Sequence, residues 1–161
     1  MNDAEVYAGA LLLGAIAGMR SRAAPGLIGQ FAKAGLLPVD GSAFAFMAGP
    51  KIGVMTAVLS AGEFIADKLP FIPRRTNAGP LTARAISGGL SGGAFCSANK
   101  RSLGLGILLG AAGAVGAAYA AYELRKRAAE RFHIPDPAIA MVEDAVIAGA
   151  GLLVTSRLRA A

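Results

Sequence analysis

A central stretch of the chain, Gly62-Glu-Phe-Ile-Ala-Asp-Lys-Leu-Pro-Phe-Ile-Pro-Arg-Arg-Thr-Asn-Ala-Gly-Pro-Leu-Thr-Ala-Arg84, joins two apolar segments. It holds two acids, four bases and three prolines, whereas Gly/Ala-rich apolar sequence lies on both sides. Charges at the rim of a membrane-length segment are costly, so they are usually paired or used. The stretch therefore predicts a polar connection between two membrane helices and identifies its ions as the first candidates for a site.

The composition favours a bilayer as the surroundings of the chain. Of 161 residues, 55% are hydrophobic and 16% are charged, and the mean hydropathy is +0.54. In soluble domains about a quarter of all residues are charged. The present chain therefore has too few polar side chains to cover a water-facing surface. We expect a single integral membrane domain over residues 1–161, multi-pass, in the inner (plasma) membrane of a bacterium, with the lipid bilayer as its main partner.

The net charge of +6 does not indicate a nucleic-acid partner. The bases lie between apolar runs, as juxtamembrane Lys and Arg do, and the chain has no Trp to stack on bases. The start Met1-Asn-Asp-Ala-Glu5 lacks the basic segment of a signal peptide, so no cleavage is expected. The lone Cys96 is interpreted as a small buried apolar residue, and no metal-ligand cluster or cofactor motif is present.

The apolar runs predict an all-α fold: a polytopic bundle of four or five Gly/Ala-rich spans plus one short interfacial or re-entrant helix. The five segments able to span are residues 4–19, about 50–66, 81–98, 103–122 and 138–155, and the short helix covers residues 25–37. The first segment is shorter than the roughly 20 residues of a usual span. Whether residues 4–19 and 25–37 cross the membrane is therefore left open.

Glycines recur at a spacing of four residues in several of these segments. The pairs are Gly14/Gly18, Gly88/Gly92, Gly89/Gly93 and Gly106/Gly110. Small residues at this spacing let helix backbones approach closely. The glycine pairs predict helix-packing surfaces, either within the chain or, as a glycine zipper, in a homo-oligomer.

The positive-inside rule gives no orientation. If all five segments span, eight Lys and Arg residues fall on each side of the membrane. The tie has two explanations, dual topology or one segment that does not span. The second is favoured because two of the segments are short or interrupted.

Several motifs resemble a small bacterial membrane family. They are Gly62-Glu-x-x-x-Asp-Lys-x-Pro70, Pro73-x-Arg-Thr76, Gly79-Pro-x-x-x-Arg84 and Gly18-Met-Arg-Ser-x-x-x-Pro25. The family is catalogued as domain of unknown function 4126, and the resemblance covers nearly the whole chain. It implies membrane location and supplies no activity.

Five ionisable residues form the candidate polar centre: Glu63, Asp67, Arg84, Glu143 and Asp144. Glu63 and Asp67 are four residues apart, so their carboxylates share a helix face and need a proton or a cation. Buried ions are tolerated when paired, so we expect Arg84 to meet Glu63 or Asp67, with Glu143 and Asp144 facing the same centre. The alternative is an ion network that only fixes the hairpin and marks the membrane boundary.

Four bases form a candidate site for an anion or a lipid headgroup: Arg20, Lys68, Arg74 and Arg75. The alternative for these residues is an ordinary set of solvated loop bases at the membrane surface.

The leading hypothesis for function is a small transporter or channel-like protein for a small solute or ion, with the charged centre between its helices. The second is a non-transporting membrane component that packs with itself or a partner through its glycines. A lipid-acting enzyme comes third, since neither a nucleophile elbow nor an HExxH motif is present. We therefore expect no enzymatic activity and no catalytic residues.

Overall fold

A computed structural model of the chain describes residues 1–39, 42–47, 49, 78–132 and 136–160. These residues form five α helices and no strand, so the predicted all-α fold is confirmed for them. The helices are α1 (Asp3–Met19), α2 (Ala23–Lys33), α3 (Ala78–Ala98), α4 (Leu103–Phe132) and α5 (Asp136–Arg159), with a short 3-10 helix at Ala45–Met47. The predicted segment at about 50–66 lies outside the described residues.

The start of α1 follows from its first residues. The Asn2 side chain accepts a hydrogen bond from the Glu5 backbone N–H, and the Glu5 carboxylate accepts one from the Asn2 N–H. This reciprocal arrangement, a capping box, satisfies two backbone donors that a helix start leaves open. The helix therefore begins at Asp3.

Two helices end through a residue in the left-handed backbone conformation. At the end of α2, Gly35 has φ +70°, and the Leu36 N–H donates to the carbonyl of Phe31. At the end of α3, Lys100 has φ +56°, and the Arg101 N–H donates to the carbonyl of Cys96. Both are Schellman motifs, which reverse the chain after a helix.

The centre of the bundle is formed by α1, α3 and α4. Their backbones are in direct contact. A Cβ atom on Gly14 would lie 2.1 Å from the carbonyl oxygen of Gly110, and one on Gly88 would lie 2.5 Å from the same oxygen. A Cβ on Gly92 would lie 2.4 Å from the carbonyl oxygen of Gly106. These distances leave no room for a methyl group, so glycines of the predicted pairs lie between helices of one chain.

The other described elements pack around these three helices. α2 contacts α1 and α3, and α5 contacts mainly α1. Phe95 of α3 is fully buried in a cluster with Leu13 of α1 and Ile28 of α2. Cys96 belongs to the same cluster and is a buried free thiol, as its apolar neighbours in the sequence predicted.

The bundle has two ends. We define the first end as the one where α1 and α4 finish and α3 and α5 begin; the second end is opposite. Ion pairs at the second end fix the direction of the helices. At the second end, Arg101 after α3 pairs with Asp3 at 2.7 Å, and Arg157 of α5 pairs with Glu5 at 3.1 Å. The beginning of α1 and the end of α5 therefore lie together.

This placement corrects the charge tally made from the sequence. That tally assumed five spans, an odd number, which would put the two termini at opposite ends. It also put Arg20 and Arg84 on opposite sides, whereas Arg84 contacts the last residues of α1, directly before Arg20. The eight-against-eight balance consequently does not describe this arrangement.

Among the described helices, one is long and apolar enough to cross a membrane. It covers Leu103–Ala128 within α4, and only 28% of its most apolar window is buried in the protein. By comparison, α1 has 17 residues, α3 is rich in Gly and Ser, and α5 carries Glu143 and Asp144. The other helices are therefore either too short or not apolar enough to meet the same criterion.

Candidate functional site

Three ion-bearing contacts lie near the first end of the bundle and form the candidate site. They involve Arg20, Arg84, Arg125, Glu143 and Asp144, which we call the charged layer. The residues come from α3, α4, α5 and the turn after α1. The antiparallel packing of these elements brings them to one level.

Asp144 of α5 pairs with Arg20, which follows α1. The Arg20 Nη2 atom lies 2.7 Å from one carboxylate oxygen and 2.9 Å from the other. Both side chains are about half exposed, at 51% for Arg20 and 49% for Asp144. The pair therefore connects α1 to α5 while it remains accessible from outside the bundle.

Glu143 pairs with Arg125 of α4 at 2.9 Å. This pair is more enclosed, since the side chains are 14% exposed for Glu143 and 25% for Arg125. Consecutive residues on a helix point about 100° apart. Two adjacent acids of α5 can therefore hold arginines from two different neighbours.

Arg84 of α3 contacts the end of α1. Its Nη1 atom donates hydrogen bonds to the carbonyl oxygens of Gly18 and Met19, the second at 3.2 Å. The last carbonyls of a helix lack partners within the helix and carry partial negative charge. Arg84 thus satisfies them and complements the dipole of α1.

A second α3 residue fixes the turn between α1 and α2. The buried Ser87 hydroxyl donates to the carbonyl oxygen of Ser21, which is itself buried. Pro25 lies in the first turn of α2, where a missing N–H costs nothing. Gly18 packs against Ala114 of α4, where a Cβ would lie 2.2 Å from the Ala114 carbonyl oxygen. Each residue of the Gly18-to-Pro25 motif therefore has a structural reason.

The charged layer lies inside the bundle rather than at its tip. Arg84 is six residues from the start of α3, and Glu143 is seven residues from the start of α5. At a rise of about 1.5 Å per residue, both lie about 10 Å from their helix ends. Arg125 lies at a similar depth, seven residues before the end of α4.

An open groove of about 970 Å³ runs between α2 and α5 beside this layer. Arg20 and Arg22 line it at the first end, and Thr155 and Arg159 line it towards the second. Its middle is lined by apolar and small residues: Ala23, Gly26, Leu27, Phe31, Ile147 and Gly151. The groove therefore joins a cationic mouth to an apolar floor.

The structure brings together four of the residues singled out in the sequence. Asp144 and Arg20 are in direct contact, Glu143 is next to Asp144, and Arg84 holds the residues just before Arg20. Glu63, Asp67, Lys68, Arg74 and Arg75 lie outside the described residues, so the expected pairing of Arg84 with Glu63 or Asp67 is not addressed.

Sequence reasoning did not identify Arg125 or Ser87 as members of the site. Arg125 stands in a charged run interpreted as emerging into water, and nothing local distinguishes it from Lys126 or Arg127. Its spacing from the α4–α5 connection was a usable signal. Arg125 lies seven residues before the end of α4 and Glu143 seven residues after the start of α5, and residues equally far from the connection of two antiparallel helices face each other.

Within the part of the chain that the structure describes, no group of three or more His, Cys, Asp and Glu residues could hold a metal ion. The charged layer offers arginine–carboxylate ion pairs as its candidate chemistry. Comparison with family models, with curated proteins and with solved structures found no match to the chain.

Proposed function

We propose that the protein is a small multi-pass membrane protein of the bacterial inner membrane, and that it moves a small solute or ion past the charged layer. In this proposal α1, α3, α4 and α5 cross the bilayer. The resemblance of the motifs that contain Gly18, Arg20 and Arg84 is the basis of the further proposal that the chain belongs to the domain of unknown function 4126 family.

The membrane placement is supported by the outer surface of α4 and α5. Exposed large apolar residues there include Leu105, Leu108, Met141, Val142, Val146, Leu152 and Leu153. Soluble monomers rarely expose contiguous apolar surface on this scale. In addition, α4 carries 20 residues without a charge from Leu103 to Tyr122, a length of about 30 Å, which matches the hydrocarbon core.

Ion pairs lie at both edges of this apolar region. The pairs of Asp3 and Glu5 lie at the second end, and the charged layer lies at the first. Along α1, Asp3 and Arg20 are 17 residues apart, or about 26 Å. Such a bundle fits a bilayer that thins slightly around it.

One observation carries the transport proposal: the adjacent acids Glu143 and Asp144 hold arginines from two different elements, about 10 Å inside the helix ends and at the edge of the apolar region. Ionisable residues inside membrane bundles mark solute and proton pathways by default. Because the Asp144–Arg20 pair is half exposed beside the α2–α5 groove, a solute or proton can reach it without opening the bundle.

The assembly hypothesis is less well supported by the same geometry. The glycines that would form an intermolecular zipper are Gly14, Gly18, Gly88, Gly92, Gly106 and Gly110, and all lie against other helices of the same chain. Their close-approach surfaces are therefore occupied within the monomer.

The experiment is flux in vesicles. Full-length protein is reconstituted with an internal pH dye, and proton entry is recorded after an acid pulse under a potassium diffusion potential; potassium, sodium and chloride gradients follow. We expect Asp144→Asn to lower the flux at least tenfold, since the amide can neither take a proton nor pair with Arg20 as an ion.

Glu130→Gln is the matched control, since it removes one exposed carboxylate from the end of α4, away from the charged layer. It should leave the flux within twofold of wild type, and circular dichroism should show equal helicity for both variants. Wild-type vesicles no more permeable than empty ones to any of these ions would contradict the transport proposal.

A further inference from the structure

The α2–α5 groove has the dimensions of a ligand site on the outside of the bundle. Its volume of about 970 Å³ is at the upper end of the range for ligand pockets, about 300–1,000 Å³. Along α5, its lining residues Ile147 and Arg159 are 12 residues apart, or about 18 Å. This length slightly exceeds half of a hydrocarbon core of about 30 Å, which is one leaflet.

The charge of the groove favours an anion at the first end. Its described lining includes three arginines and no acid. Arg20 contacts Asp144 through Nη2, and a guanidinium has five N–H donors, so further donors of Arg20 remain for an additional acceptor. Arg22 lies two residues further on at the same mouth.

The start of α2 adds to this positive potential. α2 begins at Ala23, directly after Arg22, and its first turn contains no acid and no side-chain cap. The N-terminus of a helix carries partial positive charge. Two arginines and a helix N-terminus therefore converge where the apolar floor of the groove begins.

The floor itself is suited to a hydrocarbon chain. Leu27 and Phe31 of α2 and Ile147 of α5 line it, and Gly26 leaves open space, since no atom lies within 4 Å of a Cβ placed there. A ligand that satisfies both halves of the groove must be an amphiphile with an anionic head and an apolar tail.

We propose that this groove binds one anionic phospholipid of the surrounding bilayer. The phosphate lies at Arg20 and Arg22, and an acyl chain runs along Gly26, Leu27 and Gly151 towards Thr155. This inference rests on the proposed placement of the chain in a bilayer, but it does not require transport.

The test is native mass spectrometry of the full chain, released from nanodiscs that contain phosphatidylglycerol and phosphatidylcholine in equal amounts. We expect wild type to retain one phosphatidylglycerol at least fivefold more often than one phosphatidylcholine. A guanidinium pairs with a phosphate bidentately, and the anionic lipid lacks the choline cation that would oppose it.

Two variants fill or discharge the groove, and each has a matched control. Gly26→Leu places a side chain into the open floor, and Gly149→Leu makes the same change on an exposed position of α5 where nothing lies within 4 Å. Arg22→Gln removes the charge at the proposed phosphate, and its control Arg131→Gln removes one from the exposed end of α4, outside the groove. Arg159→Gln separately tests the other end of the groove.

We expect Gly26→Leu and Arg22→Gln to lower phosphatidylglycerol retention at least fivefold, whereas both controls stay within twofold of wild type. Gly26→Leu should fold, because a helical glycine is replaced by a better helix former in open space. Equal retention of the two lipids by wild type, or equal retention by Gly26→Leu and Gly149→Leu, would overturn the proposal. A loss with Arg159→Gln as large as with Arg22→Gln would overturn the position of the phosphate.

Failure of the lipid inference can be separated from failure of the proposed function. If carbonate washing removes the wild-type chain from membranes, the bilayer placement is wrong and both proposals fall. If the chain stays in membranes and shows flux, but binds the two lipids equally, only the lipid inference is wrong.

Discussion

At the scale of single residues, the space between α1, α3 and α4 is the tightest constraint on this chain. Gly110 shows it most directly, since a Cβ on it would lie 2.1 Å from the carbonyl oxygen of Gly88. Its own carbonyl oxygen is in turn the nearest atom to the Cβ positions of Gly14 and Gly88. Because these neighbours are backbone atoms, none can rotate away as a side chain would.

Gly110→Ala is expected to destabilise the folded bundle by about 3 kcal/mol, the upper end of the cost of overpacking a core. Gly116→Ala is the matched control on the same helix, where nothing lies within 4 Å of the added Cβ. It should stabilise by about 0.5–1 kcal/mol through helix propensity. Unfolding in mixed detergent and sodium dodecyl sulfate measures both, and equal stabilities would contradict the backbone contact.

Lys100 presents the opposite case, because its replacement by glycine should increase the stability of the folded protein. Its φ of +56° costs an L-amino acid roughly 1–2 kcal/mol. Allowing for the greater freedom of glycine in the unfolded chain, we expect Lys100→Gly to stabilise by about 0.5–1 kcal/mol. Lys126→Gly, on an exposed helix interior, should destabilise by about 1 kcal/mol instead. A Lys100→Gly protein less stable than wild type in the same unfolding assay would rule out this turn.

At the scale of helices, α5 joins the bundle through three ion pairs and through apolar residues such as Val154 and Ile147, which pack in the buried clusters. It has few contacts with α4, and its outer surface is exposed and apolar. Glu143 ties it to α4, Asp144 to the turn after α1, and Arg157 to the start of α1. Ion pairs and apolar packing therefore position α5 together.

A double-mutant cycle with Arg125→Gln and Glu143→Gln measures the strength of one such tie. We expect a coupling of about 1–3 kcal/mol, because the pair is largely enclosed and a lone charge left there would be costly. The exposed pair of Glu123 and Arg127, at 3.9 Å, gives the reference cycle and should couple by less than about 0.5 kcal/mol. Similar values for the two cycles would mean that Arg125 and Glu143 are separated by solvent.

At the scale of the whole molecule, the meeting of α1 and α5 at the second end determines the topology. Asp3 and Glu5 of α1 contact Arg101 and Arg157 there. A chain that enters and leaves a bilayer on one side has crossed it an even number of times. Four crossings by α1, α3, α4 and α5 satisfy this condition when the segment between α1 and α3 returns to the side it left.

In the proposed bilayer placement, we therefore expect both termini on the same side of the membrane. Reporter fusions to each terminus, one active only in the cytoplasm and one only outside it, check this directly. A fusion between residues 99 and 102, in the turn after α3, should report the same side as the termini. Opposite results for the two termini would contradict the helix arrangement and restore the five-span count.

The sequence by itself determined the elements of this protein. The runs without charge, the Asn2 cap and the glycine spacing predicted the five described helices to within a few residues at most ends, because these signals are local. The same signals predicted close helix contact and a buried Cys96. They also selected Arg84, Glu143 and Asp144, because an ion within an apolar helix is costly wherever the helix packs.

Only the tertiary structure decided which ions meet. Glu143 contacts Arg125, Asp144 contacts Arg20, and Arg84 contacts the carbonyls of Gly18 and Met19. Chain spacing cannot reveal this, since each partner depends on the rotation of two helices about their axes and on which helices are neighbours. Both are set by the glycine contacts among α1, α3 and α4, because only a residue without a side chain leaves room for this close packing of the helices.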